Sequence, residues 1–213
     1  SPLIHNAALQ KLKLDAVYIP IRIPQDTLKS SLDSIDWLGL KGISVTIPHK
    51  ELAADYAQQK TDEVTAIGAA NTLVRDSMNE WHASNTDYDA ALESVLMGLN
   101  PNDPDSSTLQ GRKTMVLGAG GAARAIGLAM VRSGAIVTIC SRTHKRAEGL
   151  ADEIGCQHAT WENRGAGDPD ILINCTPVGM HANIDESPFA ANWLSEHTLV
   201  IDPAYTPEHT LLL

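Results

Sequence analysis

The sequence predicts an α/β protein in two parts: an N-terminal α/β half, followed by a half built on a doubly wound parallel sheet. Three observations carry this expectation. Short apolar strands and helices alternate through the second half. A glycine-rich turn with GxGxxA spacing, Gly118-Ala119-Gly120-Gly121-Ala122-Ala123, joins one of those strands to the helix after it. Between the halves lies Asn100-Pro101-Asn102-Asp103-Pro104-Asp105-Ser106-Ser107, the most loop-like stretch in the chain. The predicted domains are therefore residues 1–105 and 106–213. Regular βα alternation in the latter points to a Rossmann-type fold.

Taken in order, Ser1-Pro2-Leu3-Ile4-His5-Asn6 reads as the entry to a helix. Residues 16–23 look like a strand, and Pro24-Gln25-Asp26 opens a helix. Residues 42–47 form a short β-branched run, hence a strand that Pro48 ends, and residues 50–59 have helical composition. Two strands, 72–75 and 80–84, flank a turn at 76–79. Asn85 or Thr86 can cap a helix running to about Leu99. In the second half the expected strands are 114–117, 136–140, 171–174 and 199–202, and the expected helices 122–133 and 145–154.

Composition limits the function. The net charge of −10 disfavours non-specific binding to nucleic acid or an anionic membrane. It leaves room for a small anionic ligand, which local cations decide. No apolar run approaches the roughly 18–20 residues of a membrane span. Cys140, Cys156 and Cys175 are odd in number and lack a CxxC pair, so they read as thiols in a reducing compartment, with the cytoplasm as the expected location. No residue pair has metal-ligand spacing, and no metal is expected.

The glycine turn has a physical logic. Gly118 permits the tight turn, Gly120 lets the backbone approach a pyrophosphate, and Ala123 lets the helix pack closely on the strand. The amides of Ala119, Gly121 and Ala122 stand at the helix N-terminus, where the partial positive charge favours phosphate. The next strand indicates which dinucleotide. An NAD site usually ends that strand in Asp or Glu; here it ends in Ser141-Arg142-Thr143, with Arg146 one turn on and no carboxylate before Glu148. Arg142 and Arg146 would attract a 2′-phosphate and Thr143 could donate to it, so the expected cofactor is NADP. Cations at a helix N-terminus oppose its dipole, so something anionic is expected beside them.

Oxidising an alcohol by hydride transfer also needs a group that takes the hydroxyl proton. Candidates in the first half are Lys50, after a strand; Asn71, in Gly68-Ala69-Ala70-Asn71-Thr72; Asp87, in Asn85-Thr86-Asp87; and Ser1 and His5, at the first helix. Spacing alone favours plainer readings: a surface lysine for Lys50 and a helix N-terminal acid for Asp87.

Seven blocks occur in the order found in shikimate dehydrogenases: Ser1–Asn6, Gly42–Lys50, Gly68–Thr72, Asn85–Asp87, Gly118–Arg124, Ser141–Ala147 and Asn174–Met180. The chain resembles that family over essentially its whole length. The resemblance implies reversible NADP-dependent oxidation of the 3-hydroxyl of shikimate to 3-dehydroshikimate, a step of chorismate and aromatic amino-acid biosynthesis. It makes Lys50 and Asp87 the catalytic pair. It places Ser1, Thr46, Asn71 and Tyr205 on the substrate and Thr176 and Met180 beside the nicotinamide, with Ser141 joining Arg142, Thr143 and Arg146 at the cofactor.

The family's first block begins several residues earlier, with a strand and another serine, and a C-terminal return carries a substrate-binding glutamine. The chain runs from Ser1 to Leu213, so the expectation is that the gene encodes residues on both sides. Rival readings are a quinate/shikimate dehydrogenase preferring NAD and a non-catalytic sensor on the same fold. Arg142 and Arg146 oppose the first, and retention of Lys50 with Asp87 opposes the second. Beyond the small anionic substrate, the resemblance allows a homodimer or a fused 3-dehydroquinate dehydratase as partner.

Overall fold

The computed structural model describes residues 2–24, 27–104 and 107–213. The chain forms two compact units, residues 1–38 and 39–213.

The smaller unit holds α1 (Pro2–Lys11), α2 (Leu28–Ser34) and a short 3₁₀ turn, Asp36–Leu38. Pro2 at the first position of α1 suits a helix start, because its missing N–H has no intrahelical partner to lose. The strand expected at 16–23 does not form. A strand requires a neighbouring strand for its N–H and C=O groups, and neither sheet includes this segment. It is tied to α1 instead. Asn6 accepts from the Tyr18 N–H (2.7 Å) and donates to the Tyr18 carbonyl (2.9 Å), while the His5 and Tyr18 rings stack at 4.3 Å.

The larger unit contains two sheets. The first has the order β1 (Gly42–Ser44), β3 (Thr72–Arg75), β4 (Trp81–Ser84), β2 (Gln59–Lys60). β3 and β4 form the expected hairpin, Thr72 facing Ser84. Its turn is held by Asp76 Oδ1, which accepts from the Met78 and Glu80 N–H groups. The helix expected over 50–59 is shorter: α3 spans Lys50–Tyr56, because Gln59 and Lys60 leave it to pair parallel with His82 and Ala83. A helix absent from the sequence reading, α4 (Asp62–Ile67), follows. Its signals are present: Thr61 accepts from the Val64 N–H at 3.3 Å, and Gly68 ends the helix at φ 67°.

The second sheet is fully parallel, in the order β7 (Gln157–Thr160), β6 (Ile136–Ser141), β5 (Lys113–Leu117), β8 (Ile171–Asn174), β9 (Leu199–Ile201). The chain builds outward from β5 to β7, then returns to the other side of β5 for β8 and β9. That reversal makes the C-terminal ends of β5 and β8 the switch point of a doubly wound sheet, where such folds open a crevice. The four-residue β7 was not anticipated; Gln157-His158-Ala159-Thr160 is too polar to register as an apolar run.

α6 (Gly121–Arg132) and α7 (His144–Ile154) cover one face, with α5 (Asp87–Leu99) packed on α6 and β9. Their side chains join Val116, Ile139, Ile171 and Ile173 in the main core. The other face carries Met115, Leu117, Cys140 and Leu172 under Phe189 and Leu212, with Trp161 and Trp193 at the edge. Arg164 stacks on both tryptophans, 4.2 and 5.0 Å from the ring centres, and donates to the Pro188 carbonyl. No described helix is long and apolar enough to cross a membrane.

Candidate active site

At the switch point the glycine turn leaves β5. Gly118 has φ +116°, a region that side chains rarely adopt, and a Cβ there would stand 2.8 Å from the Cys175 carbonyl oxygen. The Gly118 N–H donates to the Cys140 carbonyl at 2.7 Å, and the Cys175 N–H to the Leu117 carbonyl at 2.7 Å. The turn is thereby held between the ends of β6 and β8. Gly120 caps α6 and faces open space where a Cβ would be. A Cβ on Gly121 would come within 2.9 Å of the Lys50 Cβ, so glycine there lets α3 approach the start of α6. Ala123 is fully buried, as close helix-on-strand packing requires.

A cavity of about 310 Å³ opens in front of this turn. It is lined by the turn itself, residues 118–122, by Ser141, Arg142, Thr143 and Arg146, by Cys175, Thr176 and Pro177, and by Ile47, Pro48, Lys50 and Glu51. α7 begins beside Thr143 with no acidic residue in its first turn and no side-chain cap on Thr143. The shape and donors fit a dinucleotide carrying an extra phosphate. Backbone amides and an open glycine stand where a pyrophosphate would lie, and arginines replace the carboxylate that would repel a 2′-phosphate. Thr176 is fixed by Asn174, whose Oδ1 accepts from its N–H (3.0 Å) and hydroxyl (2.7 Å). Met180 follows in the 177–180 turn and does not line the cavity.

Lys50 is the first residue of α3, and its Nζ donates to Asp87 Oδ2 at 2.5 Å, with the two side chains 14% and 28% exposed. Asp87 opens α5, and its other oxygen accepts from Asn71 Nδ2 at 2.9 Å. The hairpin register brings Asn71 there: it precedes Thr72, opposite Ser84, so it meets residues 85–87 as they leave β4. Asn71 also donates to the Thr86 hydroxyl and accepts from the Thr86 N–H, at 3.0 and 3.1 Å. Asn85 Oδ1 accepts from the Asp87 N–H at 3.0 Å. Three of the residues singled out from sequence, Lys50, Asn71 and Asp87, thus form one network.

Others do not join it. Thr46 is exposed, four residues before Lys50, with its carbonyl accepting from the His49 N–H. Tyr205 is 81% exposed and contributes no hydrogen bond among the described residues. Ser1 lies outside the described residues.

The structure adds groups the sequence reading passed over. Asp202, just past β9, accepts from Asn174 Nδ2 (3.2 Å), the Thr210 hydroxyl (2.8 Å) and the Ala204 N–H (3.1 Å), and so braces the loop that carries Thr176. Its position beyond the C-terminal end of a parallel strand was the available signal. Cys175 lines the cavity and is partly buried, and burial pushes its thiol up to about 12, with Asp87 and Asp202 adding to the rise and Lys50 opposing it. Glu51, next to Lys50, pairs with arginines of the second sheet's helices. In the β3–β4 hairpin, Asp76, Glu80 and His82 bring one ligand atom each within 4.8 Å of one another, a grouping that sequence spacing did not suggest; none of them lines the cavity.

Comparison with known proteins places the chain in a family. Residues 1–73 match the model of the shikimate dehydrogenase substrate binding domain, and residues 113–205 that of the coenzyme F420-dependent NADP oxidoreductases. A curated shikimate dehydrogenase (NADP(+)) from Caldanaerobacter subterraneus subsp. tengcongensis is 36% identical, aligned over all of this chain and 76% of its own. The chain belongs to the shikimate dehydrogenase family. Within the family, a shikimate dehydrogenase solved with NADP+ superposes with a TM-score of 0.85 at 31% identity, covering 100% of this chain and 74% of its own. The enzyme from Thermus thermophilus, solved with NADP(H) and shikimate, gives a TM-score of 0.78 at 30% identity, covering 97% and 74%. A chloroplastic bifunctional 3-dehydroquinate dehydratase/shikimate dehydrogenase from Arabidopsis thaliana is 34% identical, covering 100% of this chain and 37% of its own.

Proposed function

We propose that this protein catalyses the reversible NADP-dependent oxidation of the 3-hydroxyl of shikimate to 3-dehydroshikimate, as the names of its relatives and the chemistry of its cavity together suggest. The observation that carries the reading is the Lys50–Asp87 pair, with Lys50 lining the same cavity as the glycine turn. Oxidation of a secondary alcohol removes a hydride from carbon and a proton from oxygen. The nicotinamide, when bound, supplies the hydride acceptor. The protein must hold the proton, and Lys50 Nζ with Asp87 Oδ2 forms a donor–acceptor couple for it. Asn71 orients Asp87 through the second carboxylate oxygen and offers amide chemistry to a polyhydroxylated substrate. Thr46, Tyr205 and Ser1 are proposed as further substrate contacts.

In the proposed cofactor site, the amides of Ala119, Gly121 and Ala122 and the open face of Gly120 receive the pyrophosphate. Ser141, Arg142, Thr143 and Arg146 hold the adenosine phosphate, and Thr176 and Met180 border the nicotinamide. The proposed division of labour gives residues 1–105 to the substrate and 106–213 to NADP. The free thiols of Cys140, Cys156 and Cys175 suit a reducing compartment, and the cytoplasm is the proposed location. The macromolecular partner proposed is a second copy of the chain or a fused dehydratase such as the plant relative carries; the mass of the native product in solution separates the two.

The test is absorbance at the reduced-nicotinamide band with shikimate and each oxidised cofactor. A rise that requires shikimate and is faster with NADP is expected. Binding of NADP with no turnover would move the protein to the sensor reading, and faster reduction of NAD would overturn the cofactor assignment.

A further inference from the structure

Glu51 sits beside Lys50 at the start of α3 and lines the cavity together with Arg146. Its Oε1 lies 3.5 Å from Arg146 Nη2 and 3.7 Å from Arg124 Nε, so one carboxylate oxygen lies between two guanidinium groups. Both distances exceed the roughly 2.7–2.9 Å of a well-made charge-assisted hydrogen bond. The fit is loose on the Arg124 side as well, where Nε is buried without a hydrogen-bond partner. Arg124 does not depend on Glu51 for neutralisation, because it pairs with Glu153 of α7. Arg146 is different. Its helix carries no acid in the first turn, and the carboxylate facing it comes from α3. One anion beside Arg146 at the start of α7 is therefore a carboxylate of the protein itself.

We propose that Glu51 is a built-in competitor for the 2′-phosphate of NADP: it occupies Arg146 when the cofactor is absent and must be displaced for the phosphate to bind. This rests on the NADP assignment made above and adds to it a residue of α3 that sets cofactor affinity. NAD carries no 2′-phosphate and has no need to displace Glu51. The carboxylate thus lowers the affinity for NADP alone and narrows the preference that Arg142 and Arg146 create. The pair is exposed, 58% at Arg146 and 46% at Glu51, which makes it weak and quickly exchanged.

The experiment measures NADP+ and NAD+ dissociation constants by titration calorimetry on the full-length protein, without turnover. Glu51→Gln should tighten NADP+ roughly 2- to 5-fold, the factor that an exposed ion pair carries, and leave NAD+ unchanged. The gain should shrink as salt is raised. Glu51→Asp keeps the charge but shortens the reach, and should tighten NADP+ nearly as much. In an Arg146→Ala background, Glu51→Gln should have no effect. Weaker NADP+ binding in Glu51→Gln, equal changes for both cofactors, or a gain that persists without Arg146 would each overturn the proposal; the last would mean plain repulsion without pairing. If the unaltered protein binds neither cofactor, or loses both equally on Arg142→Ala, the NADP assignment falls and this inference with it. Selective NADP+ binding that ignores Glu51 refutes the inference alone.

Discussion

Replacing Lys50 by alanine tests the proton-handling assignment most directly. The change removes the donor 2.5 Å from Asp87 Oδ2 but leaves Oδ1 bonded to Asn71, so Asp87 stays oriented while the couple is broken. A positioned acid or base contributes typically 10²–10⁴-fold, so turnover should fall by that factor, about 3–5 kcal/mol of transition-state stabilisation. The structural cost is smaller. With the two side chains 14% and 28% exposed, removing one partner lies between the exposed and the buried case, about 1–3 kcal/mol, which lowers the melting temperature of a protein this size by roughly 2–12 °C. The variant therefore remains folded at assay temperature, and its defect is chemical. Asp87→Asn should cost less, because Lys50 keeps an acceptor, and Asn71→Ala less again at saturating substrate, because both members of the couple remain and what is lost is the orientation of Asp87 and one proposed substrate contact. Lys50→Ala combined with Asp87→Asn should lose less than the product of the single losses, as groups acting together do. The assay is shikimate-dependent NADP reduction at saturating substrates, paired with NADP binding, which should barely change. Turnover of Lys50→Ala within a factor of about three of the parent protein, or losses that multiply in the double variant, would refute the reasoning.

Other outcomes follow from the same geometry. Arg142→Ala should weaken NADP by about 10- to 150-fold and leave NAD nearly unaffected in a binding titration, since one charge-assisted hydrogen bond to the phosphate is lost; equal losses would remove the phosphate from Arg142. Gly118→Ala should destabilise the protein by roughly 2–4 kcal/mol in urea unfolding, because a Cβ at φ +116° and 2.8 Å from the Cys175 carbonyl oxygen meets backbone that cannot swing aside; an unchanged midpoint would contradict it. The thiols of Cys140 and Cys156 are pushed up to about 11 by burial, and that of Cys175 to about 12. At pH 8 their alkylation should be at least about 10²-fold slower than that of a small free thiol, and should accelerate steadily as pH rises. Because the folded-state values are raised, any stability they confer is complete below the ordinary thiol range and is lost as pH climbs through 11 to 12. Rapid labelling at pH 8 without unfolding would show that the thiols are not sheltered.

Much of the second sheet was legible because its signals are local. The apolar run ending at Leu117, the glycines directly after it and the arginines after β6 lie within short stretches of chain, and strand and helix periodicities need no distant partner to be read. The polar β7 escaped because its strand character comes from pairing with Thr138–Ser141, not from its own composition. The segment at 16–23 failed in the opposite sense: its composition is that of a strand, but strand formation requires a neighbouring strand, and at Tyr18 both backbone groups bond the Asn6 side chain instead.

The candidate site divides along the same line. The sequence by itself determined the cofactor turn, the absence of a carboxylate at the end of β6 and the presence of Lys50, Asn71 and Asp87 in recognisable blocks. It could not determine that Asn71 holds one oxygen of Asp87 while Lys50 holds the other, because that depends on the Thr72–Ser84 register and on how α3 and α5 pack. Nor could it show Glu51 between Arg124 and Arg146, 73 and 95 residues away along the chain. Tertiary structure alone decided these, for a physical reason. Hydrogen bonds and ion pairs depend on distances of a few ångströms, and residues far apart in the chain acquire such distances only when packed elements bring them together.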